Sequence, residues 1–323
     1  MVRYLVRRFL GMLLVIFLIL TITFVIAYLV PGDPARAIAG PRAKPETLDL
    51  IRADLGLNRP LFLDTKALAQ LDFRRAFDSQ YLRYLGRLLL HGDLGTSYYQ
   101  QRQVARILLD RLPATALLAF AGVLVEVVVG IPVGVISAYR QRSIWDRAAM
   151  LMALFGVSAP SFWLGLVLLY LFGYRWPILP LGGPGGILHL ILPAITLGAA
   201  GAAWYARMLR SSMLDILQAD YVRTARAKGL SEQVVLFRHV LRNAVQPIVS
   251  MIGMDLAYYL GGLVLIEAVF SWPGIGYEMW RAIRNLDVPV IVGTITFAAL
   301  AIVVMNFFVD LFYAVIDPRV RLG

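Results

Sequence analysis

Residues Asp220–Pro247 read DYVRTARAKGLSEQVVLFRHVLRNAVQP, a basic segment lying between two long apolar runs. Asp220 to Lys228 holds good helix formers and no breaker, and Gly229 supplies the residue most often found just past a helix end. Ser231 then stands as the N-cap of a second helix, with Glu232 in its first turn, where negative charge is favourable. In that helix Val234, Phe237, Leu241 and Ala244 fall on one face, and Arg238 and Arg242 lie four apart beside it. The segment is predicted to be a helix, a glycine bend and a helix. Its simplest role is a solvated loop whose charges only fix topology.

The flanking runs set the class of the chain. Of 323 residues 59% are hydrophobic and only 16% charged, and the mean hydropathy is +0.72, too apolar for a soluble domain. The net charge of +11 does not point to nucleic acid, because Lys and Arg sit at the ends of apolar runs or in one long loop, without interleaved aromatics. There is no cysteine, so disulfides, thiolate chemistry and cysteine metal sites are excluded.

An uncharged run from Phe9 to Val30 follows Arg3, Arg7 and Arg8. Its 22 residues would form a helix about 33 Å long, enough to cross a bilayer. It is too long for a secretory signal and lacks a small-residue cleavage site, and Pro31, Gly32, Asp33 and Pro34 are expected to stop it. Residues 1–30 are thus read as a terminus and first span. Residues 31–112 are polar and mixed in charge, with short helical patterns such as Tyr81 to Leu90, and read as a small folded excursion on one side of the membrane.

Residues 113–323 hold five more predicted spans. These are Pro113 to Tyr139 with Glu126, Ala148 to Tyr174, Ile187 to Ala206 with His189, Ala244 to Phe270 with Asp255 and Glu267, and Val288 to Ile316 with Asp310. Pro132, Pro160 and Pro193 should kink them. With the N-terminus inside, the short inner flanks carry fifteen Lys or Arg against three outside, Arg175, Arg281 and Arg284. Both termini and the Asp220–Pro247 segment are therefore expected to be cytoplasmic.

No Walker lysine loop, nucleophile elbow, HExxH helix or metal-spaced cluster appears, and His91, His189 and His239 are dispersed. The chain is not expected to be an enzyme, nor to hold a metal or cofactor. Two function classes remain. In one, another subunit supplies the energy for transport. In the other, a secondary transporter uses Glu126, Asp255, Glu267 or Asp310 to carry protons or cations, since charge at membrane depth is expensive and often functional. The same acids would otherwise be structural, paired between helices or lying near water at span ends.

Tyr221–Leu230, YVRTARAKGL, resembles the EAA loop of ABC-importer permeases, in which a Glu-Ala-Ala triplet is followed by three residues and a glycine. Here the triplet positions are Arg223, Thr224 and Ala225, with Gly229 in register, and Pro247 lies further on than the short consensus places its proline. Both departures look like the dipeptide and oligopeptide branch. Gly32-Asp33-Pro34-Ala35, Leu55 to Pro60, Tyr81 to Leu85, Gly92 to Ser97, Phe270 to Gly276 and Asp317 to Arg321 are similar to the same branch, while Leu61 to Gln80 looks longer than its pattern.

The resemblance implies an all-α membrane protein of the six-helix type I permease fold, the first (B-type) chain of a heterodimer with a second permease subunit. It implies two cytoplasmic ATPases that bind ATP and Mg, an extracytoplasmic solute-binding protein, and a place in a bacterial or archaeal cytoplasmic membrane. It implies import of short peptides, although the branch also handles glutathione and nickel complexes. The ATPase-coupling residues would be Asp220, Tyr221, Arg223, Thr224, Ala225, Arg226, Ala227, Lys228 and Gly229. Glu267, Trp272 and Asp255 are candidates for the solute path or outer gate, and Glu267 could equally anchor the Phe270 to Gly276 loop.

Overall fold

The structure, a computed structural model, describes residues 2–29, 34–40 and 42–316. In chain order its helices are α1 Val2–Leu29, α2 Pro34–Ala39, α3 Pro45–Asp54, α4 Thr65–Ala69, α5 Phe73–Ala76, α6 Gln80–His91, α7 Val104–Tyr139, α8 Ile144–Ser158, α9 Ser161–Leu168, α10 Ile187–Leu217, α11 Asp220–Ala227, α12 Glu232–Val234, α13 Arg242–Ala244, α14 Gln246–Leu260, α15 Val264–Val269, α16 Ile275–Arg284 and α17 Val288–Ile316. Wider π-helical turns continue α9 (Leu169–Arg175) and α12 (Val235–Leu241). The described residues contain no strand. The Pro31–Asp33 stop and the Asp317–Arg321 ending lie outside them, as do the side chains of Arg3, Arg7, Arg8 and Asp310.

Helices α1, α7, α10 and α17 are each long and apolar enough to cross a membrane. The other two predicted spans are not single rods. Helices α8 and α9 meet at 105° where Ala159 and Pro160 are both extended, so the proline breaks the span rather than kinking it. The Ala244–Phe270 run breaks at Gly261 and Gly262, the latter at φ +114°, which separates α14 from α15. Helix α7 begins nine residues before the expected Pro113, because Val104, Ile107 and Leu108 are buried and Pro113 costs it only one backbone donor.

The chain divides into two compact units. The described residues through Leu112, together with Glu278–Leu300, form one, and Pro113–Tyr277 with the described residues from Ala301 form the other. In the first unit Phe24 of α1, Tyr81 and Tyr84 of α6 and Val292 of α17 share a core. Ser79 Oγ caps α6 by accepting from Leu82 N at 3.2 Å, and Gly92 ends it at φ +62°. Asp287 is held by Ser97 Oγ at 2.5 Å and by the amides of Tyr98 and Tyr99. Arg83 donates to Asp78 at 2.5 and 3.1 Å and holds that carboxyl below its ordinary value, but the pair is exposed and contributes little stability.

In the second unit α7 lies against α10 at small residues. A Cβ on Gly130 would come within 2.8 Å of the Ala202 carbonyl, and one on Gly134 within 2.9 Å of the Ala206 carbonyl. Such close approach is what gives membrane helices van der Waals contact in the absence of a hydrophobic drive between them.

Candidate functional site

Helix α11 is short and strongly two-faced. Val222 and Ala225 are buried, packed in one cluster with Leu209 and Met213 of α10 and with Val235, Leu236 and Val240 of the π turn. Asp220, Tyr221, Arg223, Thr224, Arg226, Ala227, Lys228 and Gly229 are all exposed. Of the nine residues named for coupling, Ala225 alone faces inward, so it seats the helix and is not available to a partner.

The bend after α11 is built as expected. Gly229 has φ +78° and its amide bonds the Arg226 carbonyl at 2.9 Å. Across the bend Arg226 donates twice to Glu232, at 2.8 and 3.3 Å. The second helix differs from the prediction in two ways. Ser231 occupies the cap position in extended conformation, but its side chain makes no capping bond. The buried face is Val235, Leu236, Val240 and Ala244, not Val234 and Phe237, which are exposed. The π turn from Val235 to Leu241 winds more residues into each turn than an α-helix, so Phe237 does not keep the α-helical register with Ala244.

At the far end of the same chain segment, the Phe270–Gly276 loop is pinned to α7. Glu267 is fully buried, accepting from Thr115 Oγ1 at 2.8 Å and from the Tyr277 amide at 2.9 Å. Thr115 Oγ1 accepts in turn from the Ile275 amide at 2.8 Å. Gly274 rests so closely on the Glu267 carboxylate that any side chain there would collide with it. Trp272 is buried as well, its Nε1 donating to the Ala114 carbonyl at 2.9 Å. Within this chain neither Glu267 nor Trp272 presents a polar atom to a solute, and the geometry is that of a loop anchor.

Asp255 is placed differently. It sits on α14, half-buried, and its Oδ2 accepts from the Tyr205 hydroxyl of α10 at 2.7 Å. Beside it Glu126 of α7 is fully buried, with Oε1 accepting from the Tyr259 hydroxyl at 2.5 Å. Gly201 makes the room, since a side chain at that position would overlap the Glu126 carboxyl. The structure thus joins Glu126 and Asp255, which the sequence suggested only as separate acids.

One site was missed entirely. Asp146 is almost fully buried at the start of α8 and accepts from Arg210 Nε at 2.7 Å, Arg210 Nη2 at 2.8 Å, the Arg142 amide at 2.8 Å and Ser137 Oγ. In the sequence Arg210 counts only as a topology charge. The available signal was a lone acid, Asp146, three residues after Ser143 in an otherwise basic turn.

Long apolar helices, broken spans and small-residue helix packing mark a helical membrane protein. The model of the family "Binding-protein-dependent transport system inner membrane component" matches residues 130–322, and that of "Binding-prot-dependent transport system membrane comp, N-term" matches residues 1–119. The chain is 37% identical over 321 residues to the glutathione transport system permease protein GsiC of Escherichia coli K12, covering 99% of both chains, and equally to that of Pectobacterium atrosepticum. A chain of the MetNI methionine ABC transporter in an inward-facing conformation shares the fold, with a TM-score of 0.56 at 18% identity, over 65% of this chain and 96% of that one. The chain belongs to the inner-membrane permeases of binding-protein-dependent transport systems, in the peptide, glutathione and nickel group of ABC importers, and has the type I permease fold.

Proposed function

We propose that this chain is the membrane-spanning half of an ATP-driven importer of short peptide-like solutes, glutathione among them. The observation that carries the coupling part is α11, a basic, exposed helix rigidly seated through Val222 and Ala225. A partner ATPase that grips Arg223, Arg226, Lys228 and the Gly229 bend would move it as a lever. The cluster under the helix also contains Ile248 of α14 and packs Met251 and Ile252 of that helix, so the push would reach the span that carries Asp255. Two ATPases holding ATP and Mg would sit on the cytoplasmic side with both termini, facing Asp220–Pro247. A second permease chain would complete the path, and a solute-binding protein would deliver from outside. The excess of basic residues on the inner flanks supports that orientation.

The substrate class rests on the likeness to glutathione permeases and on the peptide-branch motifs. Uptake by the reconstituted five-component system should be competed by glutathione and by di- to pentapeptides, and not by sugars or single amino acids. Competition by nickel chelates alone, with peptides and glutathione inert, would move the assignment to metal uptake.

A further inference from the structure

The buried acids among the described residues, taken with the half-buried Asp255, fall into two kinds. Asp146 has Arg210, Glu278 has Arg111 and Arg281, Asp287 has Ser97 and two amides, and Glu267 has Thr115 and an amide. Glu126 and Asp255 have neither a basic partner nor a backbone donor among the described residues, and each is met only by a tyrosine hydroxyl. Glu126 Oε2 is buried with no hydrogen-bond partner among the described residues. Asp255 Oδ2 is taken by Tyr205, which leaves Oδ1 open on the accessible side of the residue.

Ala244 to Phe270 reads in the sequence as a membrane-entering run, and an acid in such a run is costly to turn toward lipid, so we take the open side of Asp255 to face a polar path or another protein. One turn further along α14, Tyr258 is exposed, putting an aromatic ring on the same face. A carboxylate and an aromatic side chain three positions apart on one helix face suit a compact cation. Glu126 is a neighbour of Asp255, because Gly201, which faces Glu126, and Tyr205, which bonds Asp255, lie one turn apart on α10, as do Asp255 and the Glu126 partner Tyr259 on α14. Together Glu126 and Asp255 bring two carboxyl groups to one place with no basic side chain beside either among the described residues.

We infer that Asp255, backed by Glu126 and flanked by Tyr258, receives the free α-ammonium group of the solute during passage, the group that glutathione and ordinary short peptides share. Tyr205 is a positioning residue that holds the Asp255 carboxylate by one oxygen and leaves the other for the solute. The inference rests on the peptide-like substrate proposed above.

The test uses the complete transporter in proteoliposomes, with labelled glutathione and a labelled dipeptide supplied on saturating binding protein. Asp255→Asn should lower initial uptake of both by about 10- to 100-fold, the range of one charge-assisted hydrogen bond. Asp255→Glu should restore most of it, and the ATP hydrolysis stimulated by loaded binding protein should persist in both variants. Wild-type uptake by Asp255→Asn would overturn the inference. So would loss of assembly or of stimulated hydrolysis together with uptake, because that pattern marks a purely structural acid. A wild-type complex that hydrolyses ATP but imports neither solute would instead overturn the substrate reading.

Discussion

Arg210 and Asp146 form a two-pronged ion pair across 64 positions of sequence, Nε to Oδ1 at 2.7 Å and Nη2 to Oδ2 at 2.8 Å. The pair ties the start of α8 to α10 ahead of the coupling helix. Removing one member leaves the other charged and poorly solvated. Arg210→Ala should therefore destabilise the protein by about 3–5 kcal/mol, the usual cost of orphaning a buried charge. Thermal unfolding in detergent would measure it. Arg210→Lys should recover only part of that loss, since an ammonium cannot make the paired contact.

Glu267→Gln should loosen the outer loop. The amide must point an N–H either at the Tyr277 amide or at the Thr115 hydroxyl, which already donates to the carboxylate, so at least one of the existing bonds is lost. A cysteine placed at the exposed Ser271 should then react faster with maleimide than in the parent. Equal rates in the two backgrounds would show that the loop does not depend on Glu267.

The bend and the contact face of the coupling segment can be separated. Gly229→Val forces a β-branched residue into φ +78° with open space around it, so the damage is to backbone conformation and not to packing. Arg226→Glu would also act on the bend, by placing like charge against Glu232. Arg223→Glu with Lys228→Glu changes only the exposed face. Both Gly229→Val and the Arg223/Lys228 double variant should abolish ATP-dependent uptake, with membrane insertion unchanged. Normal uptake by both would remove α11 from the coupling role.

Orientation is testable because the chain has no cysteine. Ser97 is buried against Asp287, so the adjacent exposed Tyr99 is the better reporter of the outer segment. A cysteine at Tyr99 should react with an impermeant maleimide in intact cells. One at the exposed Ser231 should react only after the membrane is opened, and its labelling in intact cells would reverse the topology.

The spans were legible because an apolar run of about twenty residues has few alternatives in water or lipid. Val288–Ile316 was read to the residue. The breaks were harder to see. Pro160 signals a kink and not a 105° turn, and Gly261-Gly262 carries no mark that distinguishes it from a glycine pair packed inside a helix. The helix-glycine-helix of Asp220–Pro247 was readable from Gly229, whereas the face of its second helix was not, because a π turn leaves no periodic trace. Of the candidate residues, Glu267 and Trp272 were found as a pair worth notice, but their burial depends on Thr115 and Ala114, more than 150 positions away. The meeting of Glu126 with Asp255 depends in the same way on how three helices pack.

The central claim is that movement of α11 by ATPases, and not an ion gradient acting on Glu126 and Asp255, drives import. Labelled glutathione uptake into proteoliposomes decides it. With both permease chains, both ATPases and the binding protein, uptake should require ATP and ignore imposed proton or sodium gradients. Without the ATPases nothing should accumulate. Gradient-driven accumulation by the permease chains alone, abolished by Glu126→Gln or Asp255→Asn, would contradict it.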